Sequence, residues 1–315
     1  MRDIVSPRSG GTVGEASAVS SSETRIVGIL LARDEDVWVE RAVLSVAAFC
    51  DELILCDHRS RDATPEILRR LASRHADMSY VRIRHPRESH ELIKSHAGTR
   101  TWVLSVDGDE IYDPVRLAAF KARLLGGEFD QWWAIRLSML HCAILDLDAG
   151  SATGWLTPPA RSGTKLFNFG AISSWEGKVP ERLHGGTPVF RPFGTSATYN
   201  MGEHHPWNEA PFRCLHLCFL HRSSRQSPRE IARPSYGDSR SGSPARRAWR
   251  TARRWLGRPE PSWWKLTKYR QGELVTVLTQ EFFGPDANGR YVSGLLTSHP
   301  AERAGPSGRG DPPAP

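Results

Sequence analysis

Between residues 25 and 125 the chain alternates short apolar runs with amphipathic stretches. This alternation restricts the fold more than any other feature of the sequence. Residues 26–31 (IVGILL) form a continuous apolar run, the pattern of a strand buried on both faces. Residues 37–49 then carry Val39, Val43, Val46 and Ala47 at helical spacing. A second buried strand follows at 53–56 (LILC), and Thr64-Pro65-Glu66 predicts a capped helix running to about residue 75. The pattern repeats with a strand at 79–84, a helix at 89–98, a strand at 101–106 (TWVLSV) and a helix from Asp113-Pro114 to about residue 125. Strands alternating with helices imply right-handed crossovers, hence an α/β fold with a mostly parallel central sheet and flanking helices.

Past residue 130 the alternation stops. Residues 132–140, 165–169 and 213–220 read as strands between long loops, and 265–283 as a closing helix. The expected organisation is a single domain with a nucleotide-binding half (25–125) and an irregular acceptor-side half (126–221). A basic linker or interfacial helix (222–262) and a C-terminal helical segment (263–295) follow. Residues 1–24 and 296–315, rich in Ser, Gly and Pro, read as a disordered leader and tail. In 315 residues, 11 Trp, 11 Phe and 6 Tyr are enough to furnish a packed core.

The net charge of +7 is unevenly placed. Residues 222–258 hold eleven arginines against Glu230 and Asp238, a local charge of +9, so the remainder sums to −2. Only six of the 42 basic residues are Lys. Residues 245–257 place Trp249, Ala252, Trp255 and Leu256 on one helical face with Arg opposite, the pattern of a helix lying on anionic lipid; a solvated loop is the alternative. No nucleic-acid recognition module accompanies the charge, so no specific nucleic-acid partner is expected. Five scattered cysteines read as reduced thiols. No apolar run is long enough to span a bilayer, and the leader lacks a signal-peptide core. Together these lead to an expected cytoplasmic location, with peripheral contact at the inner membrane face.

In open α/β sheets ligands bind beyond the carboxyl ends of the strands. Two strands end there in carboxylates. The second ends in Asp57 and runs on through Ser60, Asp62 and Thr64; the fourth ends in Asp107-Gly108-Asp109-Glu110. Two carboxylates flanking one small residue can face a hard divalent cation such as Mn²⁺ or Mg²⁺, which takes oxygen ligands and keeps substrate phosphates in its shell. Gly108 would leave room for a diphosphate.

With Arg33-Asp34-Glu35 after the first strand, Asp57-x-x-Ser60-x-Asp62-x-Thr64 after the second and Asp107-Gly108-Asp109 after the fourth, residues 25–125 resemble the family 2 glycosyltransferases of the GT-A fold. The departures are Asp34 in place of the usual Asn and Ala63 in place of a frequent Gly. The resemblance implies a nucleotide-sugar donor, a hydroxyl acceptor, a divalent cation and inverting transfer. It implies donor contacts from Glu35, Asp57, Ser60, Asp62, Asp107 and Lys165, and a cation held by Asp107 and Asp109. Some members add a late His as ligand. Here that role falls to His216, with His221 and His184 as alternatives.

An inverting transfer needs a general base to deprotonate the attacking hydroxyl. The Glu-Asp pair common in the family is absent. Residues 165–186 instead resemble a subgroup with Val-His-Glu, here Val179-Pro180-Glu181, making Glu181 the first candidate base and Glu176 the second. Cys214, His216 and Cys218 share one face of a predicted strand. Three ligands at period two on one strand converge poorly on tetrahedral zinc, so this run reads as core. A non-catalytic nucleotide- or polyanion-binding protein is the alternative function. A nucleotidyltransferase would want a glycine after the first strand, which Arg33-Asp34-Glu35-Asp36 does not supply.

Overall fold

A computed structural model describes residues 23–177, 186–226, 244–256, 263–283 and 295–297. In chain order the elements are β1 (Arg25–Ala32), α1 (Val39–Ala47), β2 (Glu52–Asp57), α2 (Thr64–Arg74), β3 (Met78–Arg82), α3 (Glu88–Ile93), β4 (Thr101–Asp107), β5 (Glu110–Tyr112) and α4 (Pro114–Leu125). Then come β6 (Ala134–Arg136), β7 (Ser138–Asp146), β8 (Ser151–Leu156), β9 (Thr164–Asn168), β10 (Ile172–Gly177), β11 (Gly186–Phe190), β12 (Thr198–Asn200), α5 (Met201–His204), β13 (Arg213–His216), α6 (Pro244–Trp255), α7 (Trp263–Tyr269), β14 (Leu274–Leu278) and β15 (Leu295–Thr297).

The seven-stranded central sheet has the order β12-β6-β9-β4-β1-β2-β3. Strands β4, β1, β2 and β3 are parallel, as is the β12–β6 pair, while β9 runs antiparallel to both its neighbours. The expected mixed α/β fold with a large, mostly parallel sheet is therefore the observed one. Period two explains how this sheet is buried on both sides. Ile26, Leu30, Leu53, Leu55, Trp102 and Leu104 enter one core, while Val27, Ile29, Ile54, Cys56 and Val103 enter the other. The first core holds the apolar faces of α1, α2 and α4.

The second half builds a six-stranded sheet, β14-β8-β7-β13-β5, with β15 also on β7. It corrects several expectations. The run 132–140 divides between β6 in one sheet and β7 in the other. The strand expected over 213–220 stops at His216, and Cys218 lies in the turn beyond it. The closing helix ends at Tyr269, and Leu274–Leu278 form a strand against β8, exposing alternate residues as an edge strand does. The helix expected at 89–98 is α3 plus one 3₁₀ turn.

Strand β5 ties the sheets together. It begins one residue after Asp109 and pairs antiparallel with β13. Asp113 caps α4 as its Asp-Pro sequence predicts, accepting from the Val115 and Arg116 amides at 3.1 and 3.0 Å. Thr64 does not cap α2. Its hydroxyl donates to Asp62 Oδ1 at 2.6 Å and accepts from the Glu35 amide at 2.8 Å.

Candidate functional site

The strand order reverses at β1: the chain crosses from β1 to β2 and β3 on one side and returns to β4 on the other. Ligands bind at such switch points. Two loops there are stitched together by their acidic and hydroxyl side chains. The Asp34 amide donates to Ser60 Oγ at 2.9 Å, and the Arg61 amide to Asp34 Oδ1 at 2.7 Å. Asp34 and Arg59 both adopt left-handed φ (53° and 56°), a conformation that costs non-glycine residues energy and that these contacts hold in place. Asp62 accepts from the Thr64 hydroxyl and amide and from Ser223 Oγ at 2.6 Å. Burial alone would raise its carboxyl; these hydrogen bonds outweigh that and hold it below the usual range.

On the β4 side of β1 lies a buried acidic centre. Asp107 Oδ2 meets Lys165 Nζ at 3.1 Å, and Lys165 also reaches Glu110 Oε1 at 2.7 Å. Asp109 is paired with Arg222, which also lies 3.6 Å from Glu35 Oε1. His216 Nε2 stands 3.8 Å from Asp109 Oδ2. All seven residues are buried. Burial pushes Glu110 up to about 7, only partly opposed by Lys165. Burial would also discharge Arg222, but Asp109 and Glu35 outweigh it and keep the guanidinium charged. Gly108 is required for a different contact than expected. A Cβ there would sit 3.0 Å from Glu35 Cβ and Cγ, so the room it leaves is filled by Glu35 rather than open to a diphosphate.

Four carboxylates (Glu35, Asp107, Asp109, Glu110) thus meet Lys165 and Arg222, a surplus of two negative charges over these partners when Glu110 is ionised, and the buried Lys265 adds a third cation beside His216 and Cys218. That surplus and its oxygen-rich donors suit a hard divalent cation, with His216 Nε2 as a nitrogen donor beside Asp109.

On the β2–β3 side the same edge is basic. A pocket of about 330 Å³ is lined by Arg33, His58, Arg59, Ser60, Arg61, Arg82 and Arg84. Arg59, Arg61 and Arg84 have no ion-pair partner among the described residues. Asp57 is fully buried beneath this pocket's rim. It accepts from the Ser60 amide at 2.8 Å and pairs with Arg82 at 3.2 Å, so its carboxylate braces the loop. Burial, helped by Arg33, lowers His58 to about 4.

The structure therefore brings Glu35, Asp107, Asp109, Lys165 and His216 together, with Asp57, Ser60 and Asp62 framing the adjoining loops. Lys165 is paired with Asp107 and Glu110. Glu176 is exposed on β10, and Glu181 lies outside the described residues. Arg222 and Ser223, assigned by charge to the basic linker, are buried in the core. The Val37 amide and Trp38 Nε1 donate to the carbonyls of Arg222 and His221. The core thus continues past the expected 221/222 boundary.

Arg222, Glu110 and His141 carry no individual sequence signal as site residues. Arg222 is hidden at the head of an arginine run, and Glu110 trails the Asp-Gly-Asp turn. His141 reaches the site only because β7 and β13 pair in the register His216↔His141. With His216 and Cys218 it offers ligand atoms within 4.8 Å of one another. Cys218 joins this group from a turn and Cys214 does not, so the period-two objection to the original trio does not apply.

No protein-family model matches the chain, and no curated protein does. Among solved structures it is similar to glucosyl-3-phosphoglycerate synthase from Mycobacterium tuberculosis, in complex with Mn²⁺, UDP and glucosyl-3-phosphoglycerate. That match has 23% identity and a TM-score of 0.29, covering 44% of this chain and 50% of that one. It is also similar to the mannosyltransferase PcManGT from Pyrobaculum calidifontis, in complex with GDP-Man and Mn²⁺, at 15% identity and TM-score 0.34, covering 73% and 60%. HddC from Yersinia pseudotuberculosis matches at 10% identity and TM-score 0.28, covering 56% and 90%. The chain spans 50% and 60% of the first two proteins' lengths. Likenesses of this size carry no argument about function.

Proposed function

We propose that the protein is a cation-dependent glycosyltransferase that moves a sugar from a nucleotide-sugar donor to a hydroxyl acceptor. The observation that carries the reading is the buried acidic centre at the sheet's switch point, where four carboxylates gather around Lys165 and Arg222. Asp107, Asp109 and His216 would hold Mn²⁺ or Mg²⁺, which when bound neutralises the charge developing on a leaving diphosphate. Lys165 and Arg222 set the charge of that centre. The arginine-lined pocket next to it, framed by Ser60, takes the nucleotide end of the donor. Glu181 is assigned as the base of an inverting transfer, with Glu176 as the alternative.

The test is calorimetric titration of UDP, GDP, CDP and dTDP with and without Mn²⁺, in the wild type and in Asp109→Asn. Tight binding of one nucleotide should require the cation and fall by about 100-fold or more in the variant, a loss of about 2.7 kcal/mol. Cation-independent binding that survives the substitution overturns the reading. Such a result would favour a non-catalytic binder of nucleotides or polyanions, a role the pocket arginines support. Helix α6 exposes Trp249 and Trp255, with Leu256 exposed just beyond its end. It is assigned to peripheral contact with anionic lipid at the cytoplasmic face, tested by sedimentation with phosphatidylserine vesicles at low and high salt.

A further inference from the structure

Behind Asp109 the two buried histidines form a chain whose protons can be assigned from its ends. His141 Nε2 lies 2.9 Å from the Arg161 carbonyl oxygen, and His141 Nδ1 lies 2.8 Å from His216 Nδ1. The other nitrogen of His216, Nε2, faces Asp109 Oδ2 at 3.8 Å. Tyr269 fixes both rings. It stacks on His141 with centroids 4.1 Å apart and planes within 12°, and meets His216 edge-on at 5.3 Å.

A carbonyl oxygen only accepts, so His141 must carry its proton on Nε2. A neutral imidazole has one N–H, which leaves His141 Nδ1 as an acceptor. The 2.8 Å contact is then satisfied only if His216 donates from Nδ1. His216 is left with a bare lone pair on Nε2, aimed at a carboxylate whose charge Arg222 already meets. Both rings are buried, which disfavours the imidazolium form that would reverse the order. Two lone-pair atoms facing each other across 3.8 Å are a poor arrangement until a cation lies between them.

We propose that the Arg161 carbonyl, His141 and His216 form a tautomer relay that holds His216 Nε2 unprotonated for cation capture, making His141 a positioning residue. The inference rests on the proposed function and names how that site is prepared. Outer partners of this kind typically change metal affinity by about 10–100-fold when removed.

The first measurement is ¹⁵N-correlated imidazole NMR on the metal-free full-length protein at neutral pH, with assignments from His141→Gln and His216→Gln. The expected result is His141 protonated on Nε2 and His216 on Nδ1. The opposite tautomer, or an imidazolium at His216, overturns the relay. The second is titration with Mn²⁺ alone. His141→Phe should bind Mn²⁺ about 10–100-fold more weakly, while His141→Gln, which keeps an acceptor, should recover most of the affinity. Wild-type affinity in His141→Phe overturns the relay alone. No Mn²⁺ uptake by the wild type overturns the cation reading and with it the relay's purpose, whatever the tautomers. A Co²⁺–thiolate absorption band lost in Cys218→Ser would show His141, His216 and Cys218 ligating metal themselves, and would also overturn the relay.

Discussion

The carboxyl edge of the central sheet is acidic and closed on the β4 side of β1, and basic and open on the β2–β3 side. On the closed side each charge has a buried partner: Lys165 with Asp107 and Glu110, Arg222 with Asp109 and Glu35. On the open side Arg59, Arg61, Arg82 and Arg84 are exposed, and only Arg82 among these four reaches a carboxylate. Charges on the two sides therefore have different work to do. Buried ionic groups are expensive to separate, so the closed side couples ligand binding to stability. Exposed cations contribute little to folding and are free to attract an anion.

The largest expected difference is in stability. Arg222→Ala leaves Asp109 and Glu35 buried without their cation and should cost about 3–5 kcal/mol in urea unfolding. Arg84→Ala should stay within about 0.5 kcal/mol. Equal costs would erase the distinction between the sides. Gly108→Ala comes next, at about 1–3 kcal/mol, because Glu35 must move to admit the methyl group. A neutral outcome would mean that the loop yields freely.

The two sides should also respond to pH with opposite sign. Glu110 has its folded-state pKa raised to about 7. Its contribution is present below the unfolded value and is lost as pH rises toward 7, and Glu110→Gln should remove that decline. His58 is lowered to about 4. Its contribution is present above the unfolded value near 6.5 and is lost as pH falls toward 4, so His58→Gln should flatten the acid limb. Unfolding curves of the wild type and both variants between pH 4 and 8 check the pair; slopes of the same sign would refute it. The smallest effect concerns ligand. Arg61→Ala combined with Arg84→Ala should weaken pyrophosphate binding a few-fold and reduce its salt dependence, with little change in stability. Unaltered salt dependence would remove the pocket from the donor site.

How far this edge was legible in the sequence depends on the range of the interaction. Apolar runs and helical spacing are local, so β1, β2, β4 and the helices between them were readable, as was the Asp113 cap. The Asp-Gly-Asp turn was readable as an acidic site because a strand end sets its position. Thr64 reads as a cap by the same local logic and is not one, because Asp62 and the Glu35 amide compete for its hydroxyl. Residues 274–278 read as helix and form a strand because their partner, β8, lies more than a hundred residues earlier. Lys165 was expected at the site as a contact to the donor. Only the packed structure shows that burial forces a lysine to find carboxylates, here Asp107 and Glu110.

The sequence by itself determined the parallel α/β half, the carboxylates at its strand ends and the concentration of arginine beyond residue 222. These depend on neighbours a few residues apart. Tertiary structure alone decided that Arg222 leaves that arginine-rich stretch to neutralise Asp109, and that His141 lines up behind His216. A strand's partner and register depend on the burial of whole faces rather than on the strand's own residues. Two side chains separated by 75 or 113 positions meet only once those faces are packed.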